Sequence, residues 1–274
     1  MPPLIPSTQT GGPPGEQDER NRGRRPEVSD TASRVTDVYE RLFERFGRQG
    51  WWPGDGALEV IVGAILTQAA AWTNVEKALV NLKASGVLSA TGVASMPEGE
   101  LAELLRPSGY YNAKARKLKA FVELLEREFG GDLDRMLGCP TEVLRERLLS
   151  TYGIGPETAD SILLYAAGRA VFVIDAYTRR VFTRLGVAPE RDSYEAWQGL
   201  FMDSLPAEAG LFNEYHALIV RLGKEHCRRE PTCGGCPLLD VCATGRGSAG
   251  AGPRRIEAGP DRIGAGALGE SIVR

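Results

Sequence analysis

Four cysteines near the end of the chain, Cys227, Cys233, Cys236 and Cys242, are spaced C-x5-C-x2-C-x5-C. Thiolates gathered in so short a stretch ligate metal far more often than they form disulfides in a reducing compartment. A structural zinc module usually pairs two C-x2-C knuckles. Here there is one, between two five-residue spacers, so zinc and an iron–sulfur cluster both stay open on spacing alone. A second group lies upstream, where Gly153-Ile154-Gly155 forms a tight turn and Pro156 follows at a first helical position. Two glycines let the backbone approach a partner, and the next helix aims free N–H groups at it, which suits a phosphate. Asp175, among Val173, Ile174 and Tyr177, offers a carboxylate to chemistry or an N-cap to the next helix. Cys139 reads as a buried thiol, and His216 and His226 as helix-surface or core residues.

The elements that position these groups read as helices. Leu118, Phe121, Val122 and Leu125 recur at helical spacing, as do Leu211, Tyr215, Leu218, Ile219 and Leu222. Val171–Ile174 is too short and too isolated to count as a strand. Gly and Pro breakers divide the body into around ten short helices, giving an all-α fold without internal repeats. Residues 1–32 and 245–274, rich in Gly, Arg and Pro, bury too little to fold and are expected to be disordered. The formal charge of −3 leaves nucleic-acid binding to local patches. The densest is Lys114, Arg116, Lys117 and Lys119, with Arg228 and Arg229 in the cysteine loop. No apolar run is long enough for a membrane span and no signal peptide is evident, so a cytoplasmic protein is expected.

These three motifs, in this order, resemble the endonuclease III superfamily of DNA glycosylases, the helix-hairpin-helix, Gly-Pro-Asp group. The hairpin is Gly153-Ile154-Gly155, Asp175 lies twenty residues beyond its second glycine, and the cysteine loop closes the body. The resemblance runs from about Gly50 to Cys242. It implies two helical subdomains flanking a DNA-binding cleft. One is a six-helix barrel over 56–170 carrying the hairpin; the other, over 33–55 and 171–244, holds a [4Fe-4S] cluster on the four cysteines. The first cysteine spacer has five residues where the best-known members have six.

The same resemblance implies a monomer acting on double-stranded DNA that contains a damaged base, with Asp175 catalytic and Gln68 wedged into the vacated stack. Gly153, Ile154, Gly155, Lys114 and Lys117 would meet the DNA. Trp72, Tyr152, Glu157 and Tyr177, with Trp51 and Trp52, are pocket candidates. Bifunctional members carry a lysine two residues after the second hairpin glycine, where its amine forms a Schiff base. Glu157 stands there, and a carboxylate cannot form an imine. An acid in a first helical turn also complements the helix dipole.

Trp51-Trp52-Pro53-Gly54, Leu66-Thr67-Gln68 and Gly109-Tyr110-Tyr111-Asn112 look like the branch that includes 3-methyladenine glycosylases, although Gln68 precedes Ala69-Ala70 where Asn-Thr is common. The expectation is a monofunctional glycosylase for alkylated bases. The alternatives are a glycosylase/lyase for oxidised pyrimidines, a non-catalytic iron–sulfur DNA-binding module, and a zinc-stabilised scaffold.

Overall fold

The computed structural model describes residues 28–249, and the sequence beyond them lies outside the described residues. The chain forms α1 (Val28–Phe46), α2 (Ala57–Leu66), α3 (Trp72–Ala84), α4 (Ala90–Ser95), α5 (Glu98–Leu105), α6 (Tyr111–Phe129) and α7 (Leu133–Leu137). It continues through α8 (Thr141–Leu149), α9 (Pro156–Ser161), α10 (Ala176–Leu185), α11 (Tyr194–Met202), α12 (Ala209–Glu225) and α13 (Ala243–Ala249). A π-helical turn, Ile162–Ala166, prolongs α9. No strand occurs among the described residues, and Val171–Ile174 runs extended without a pairing partner. The fold is all-α.

Three readings of the sequence need correction. Helix α1 starts at Val28, five residues inside the stretch expected to be disordered, and α13 continues to Ala249. Thirteen α-helices are described, not around ten, because short linkers such as 96–97 separate helices of only six to eight residues. The span 56–170 accordingly holds eight α-helices rather than six.

Two apolar cores form. The first gathers buried residues of α2–α9 from Ile61 to Leu163, with Val171. The second joins Val35, Val38 and Leu42 of α1 to Leu164, Phe172–Ile174 and the buried stripes of α10–α12. Segments distant in sequence meet here because α1 lies on α12, where the Tyr215 hydroxyl donates to the Val35 carbonyl (2.7 Å). Phe172 stacks on Phe201 at 4.1 Å and meets Phe212 edge-on. Truncating so buried a ring costs about 3–5 kcal/mol, so the short segment 171–174 is pinned hard. That matters because it ends on Asp175.

Candidate active site

The hairpin is built by steric necessity on one side and openness on the other. Gly153 has φ +76°, and a Cβ there would fall 2.4 Å from Cγ of Lys117. Gly155 differs: its φ of −93° is ordinary, and a Cβ on it would meet nothing within 4 Å. The chain itself gives no reason for a glycine there. Ile154 is buried beneath the turn as its anchor, and α9 begins on Gly155 without a capping side chain. Its first N–H groups have no partner inside the helix.

Gln68, just past α2, lies against this turn. Its Nε2 donates to the Gly153 carbonyl (3.0 Å) and to Thr158 Oγ1 (2.9 Å), while Lys117 Nζ donates to its Oε1. Gln68, both hairpin glycines, Pro156, Glu157 and Tyr194 line one open cleft of about 510 Å³. Residues 85 positions apart thus form one surface.

Asp175 opens α10. Its Oδ1 accepts from the Thr178 N–H (2.7 Å), the N-cap geometry, and its Oδ2 lies 3.5 Å from His216 Nε2. The side chain keeps 13% of its surface exposed, so it is recessed but not sealed. Burial alone would raise the carboxyl, but His216 and the Thr178 N–H outweigh it and hold it below the usual carboxylate range. Glu157 goes the other way. It stands exposed on the cleft wall, where partial desolvation and then the Asp175 charge push it up to about 7. Two neighbouring carboxyls are thus pushed in opposite directions, Asp175 down and Glu157 up.

An aromatic cluster reaches Asp175 through Tyr165 and His216. The rings of Trp51, Trp52 and Trp72 lie within 5.1–5.4 Å of one another, and Trp52 continues to Tyr165 at 5.0 Å. The Trp72 indole N–H donates to Glu76 (2.7 Å). Tyr165 then bonds His216 Nδ1 at 2.6 Å. Sequence reading missed Tyr165 and treated His216 as incidental; both touch the Asp175 environment only through contacts distant in sequence.

Other predicted residues sit elsewhere. Lys114 is 1% exposed and donates to the carbonyls of Leu66 (2.8 Å) and Ser108 (2.6 Å), so it cannot reach a phosphate. It closes the end of α2 that leads into Gln68. Lys117 supports the turn from below and is committed to Gln68. Tyr177 packs against Gly223 of α12, where a Cβ would lie 2.3 Å from its ring, and Arg180 covers the other side (4.9 Å). Tyr152, 57% exposed, stands beside the hairpin and outside the cleft wall. Arg116 is exposed.

The four cysteines surround one small apolar cavity of about 30 Å³ between α10 and the 227–245 loop. Arg184 Nη1 donates to Cys227 Sγ (3.3 Å) and the Gly245 N–H to Cys242 Sγ (3.3 Å). Burial, then the other three cysteines, pushes the Cys236 thiol up, and a cation bound among the four sulfurs would offset that cost. Among the described residues no three ligating groups converge on a single ion. A four-iron cluster takes one sulfur per iron and lets the sulfurs stand further apart. The donor set fits such a cluster.

A helical body with a glycine hairpin, an N-capping aspartate twenty residues on and a terminal cysteine loop defines a class of base-excision proteins. The family model for HhH-GPD superfamily base excision DNA repair proteins matches residues 62–207, and the chain belongs to that family. It is 43% identical over 209 residues to "Putative DNA repair glycosylase MJ1434" of Methanocaldococcus jannaschii, covering 76% of this chain and 95% of that one. The structure of the H. pylori 3-methyladenine DNA glycosylase MagIII bound to 1,N6-ethenoadenine aligns with a TM-score of 0.61 at 27% identity, over 73% of this chain and 98% of that one. A trapped endonuclease III–DNA intermediate shares the fold (TM-score 0.69, 22% identity, 80% and 98% coverage). The protein is a DNA repair glycosylase of the HhH-GPD superfamily.

Proposed function

We propose that this glycosylase is monofunctional and hydrolyses the N-glycosidic bond of an alkylated purine flipped from duplex DNA, with Asp175 as its catalytic carboxylate. The observation that carries this is the recessed Asp175 carboxyl, linked through His216 and Tyr165 to an aromatic wall, with Glu157 where a Schiff-base lysine would stand. As the C1′–N bond breaks, its electron pair leaves with the base and positive charge builds on the sugar. A carboxylate held there stabilises that charge and accepts a proton as water adds to C1′. Alkylated purines that carry a positive charge leave readily, and electron-rich rings favour them. The likeness to the 3-methyladenine glycosylase supports this choice of substrate.

A lyase would need an amine at the sugar. Burial pushes Lys114 down to about 8, yet its Nζ is enclosed and bonded to two carbonyls; Lys117 is bonded to Gln68. In this reading the two apolar cores are subdomains either side of the DNA, the protein acts as a monomer, and Cys227, Cys233, Cys236 and Cys242 hold a [4Fe-4S] cluster. That cluster would brace the 227–245 loop against α10.

The test is a panel of duplexes bearing methylated, oxidised or mismatched bases, scored for base release, with borohydride trapping on abasic DNA. Release of methylated purines without a covalent adduct is expected. A trapped adduct, or release of oxidised pyrimidines alone, would overturn the reading.

A further inference from the structure

His216 is a buried, titratable side chain that the reaction just described does not use. It is 6% exposed, and its Nε2 has no hydrogen-bond partner although it is enclosed by protein. Buried polar nitrogens are nearly always paired, and an exception in a native fold calls for an explanation. Here the nitrogen faces Asp175 Oδ2 at 3.5 Å, just beyond hydrogen-bond length. The other ring nitrogen, Nδ1, is engaged by the Tyr165 hydroxyl at 2.6 Å.

The tautomer follows from these neighbours. Burial, then the Asp175 charge, pushes the Tyr165 phenol well up, so its proton stays and is available to donate. A hydroxyl donating to Nδ1 leaves the ring proton on Nε2, pointing at the carboxylate. The opposite tautomer would aim a lone pair at that negative charge. The carboxylate itself is asymmetric: Oδ1 is fixed by the Thr178 N–H, and Oδ2 is left for the imidazole.

We propose that His216 and Tyr165 are positioning residues for Asp175: Tyr165 locks the imidazole with Nε2–H toward Oδ2, and this N–H closes onto the carboxylate when the everted nucleotide enters. The inference rests on Asp175 being the catalytic carboxylate. Catalytic hydrogen bonds are often long in the free enzyme and tighten in the complex. Tyr165 serves a second purpose, because its ring also touches Trp52 of the aromatic wall. A base pressing on that wall presses on the residue that holds His216. The other groups facing this cluster are Glu157 from α9 and Tyr177 and Arg179 from α10.

Two measurements test it. The chain has only two histidines, so a His226→Gln variant assigns the ring nitrogens in long-range ¹H–¹⁵N spectra without reference to activity. His216 is expected with Nε2 protonated and Nδ1 accepting, and Tyr165→Phe is expected to mix the tautomers. A proton on Nδ1 in the unaltered protein, or no change in Tyr165→Phe, would overturn the proposal. The second is single-turnover release from a duplex bearing 7-methylguanine. His216→Leu should slow the step about 10- to 100-fold, the range of lost outer-shell support, at unchanged duplex affinity. His216→Gln, whose amide can return an N–H to the Nε2 position, should recover most of the rate. Equal loss in both variants would mean packing alone, and no loss in His216→Leu would mean no role; either sinks the proposal. A wild-type protein that releases no methylated base defeats the substrate assignment instead, and the spectra still decide the tautomer.

Discussion

The two hairpin glycines should respond to the same substitution in opposite ways. In Gly153→Ala the new Cβ meets a left-handed backbone, which costs an L-residue about 1–2 kcal/mol. It also falls 2.4 Å from Lys117 Cγ and 2.7 Å from Cδ and Cε, so the lysine stem must move and its ammonium leaves Gln68. Together these cost about 2–3 kcal/mol, or roughly 5–10 °C in Tm for a body of this size. Gly155→Ala meets no atom and keeps a permitted φ, so the fold should hold or gain about 0.5 kcal/mol through a stiffer unfolded chain. Its methyl, however, stands before the open N–H groups of α9. Affinity for a duplex carrying an abasic analogue should fall about tenfold, equivalent to about 1.4 kcal/mol. Thermal unfolding and fluorescence anisotropy at one fixed salt concentration read both quantities. A Gly155→Ala protein that is stable and binds like wild type would refute the phosphate-gripping role of the turn.

Asp175→Asn keeps an oxygen for the Thr178 N–H and should fold normally, since the two residues cap equally well, yet lose about 10²–10³-fold or more in single-turnover base release. Glu157, up at about 7 in the folded protein, is mostly uncharged below that pH and a carboxylate above it. Anisotropy should therefore show DNA binding that weakens from pH 6 to 8, and Glu157→Gln should flatten that dependence. A slope unchanged in the variant would assign it elsewhere. Purified protein should contain iron and acid-labile sulfide, about four of each per chain, and Cys236→Ser should lower both; zinc without iron would refute the cluster. The Lys114 ammonium is down at about 8, below its unfolded value, so the unfolded chain binds more protons between pH 8 and 10.5 and wild-type stability should rise across that window. Lys114→Met removes this term, and denaturant titrations of the two proteins should diverge by roughly 2–3 kcal/mol over it.

What the sequence disclosed was whatever is encoded locally. The turn, the proline-started helix, the capping aspartate and the cysteine spacing each declare themselves within a few residues, and helical periodicity separates the elements. What it concealed was pairing across the fold. Tyr165 and His216 lie 51 residues apart and meet at one hydrogen bond. Asp160, with no exposed surface, is satisfied by Arg145 from α8 (2.7 Å) and Gln198 from α11 (2.8 Å), none of it visible along the chain. Lys114 was different, for a signal existed. It falls on the stripe of Ala115, Leu118, Phe121, Val122 and Leu125, the buried face of α6. Periodicity was informative there, and its charge in a basic run obscured that.

The position of Asp175 follows from where the chain changes cores. Val171 packs in the first core and Phe172, Val173 and Ile174 in the second, so the carboxylate emerges at the seam. Its companions come from both sides: Glu157 from the hairpin helix of the first core, His216 from α12 of the second. Leu163 and Leu164, adjacent in the chain, also divide between the cores, which makes the π-helical turn and the 171–174 strap the two covalent crossings near the site. Relative movement of the cores would therefore change the spacing of Glu157 from Asp175 while leaving the Thr178 cap intact. DNA held by the hairpin on one side and by the second core on the other would fix that spacing. Under the proposed function, the gap between the two carboxyls would be set when duplex binds, and the contact that grips the strand would also prepare Asp175 for the sugar.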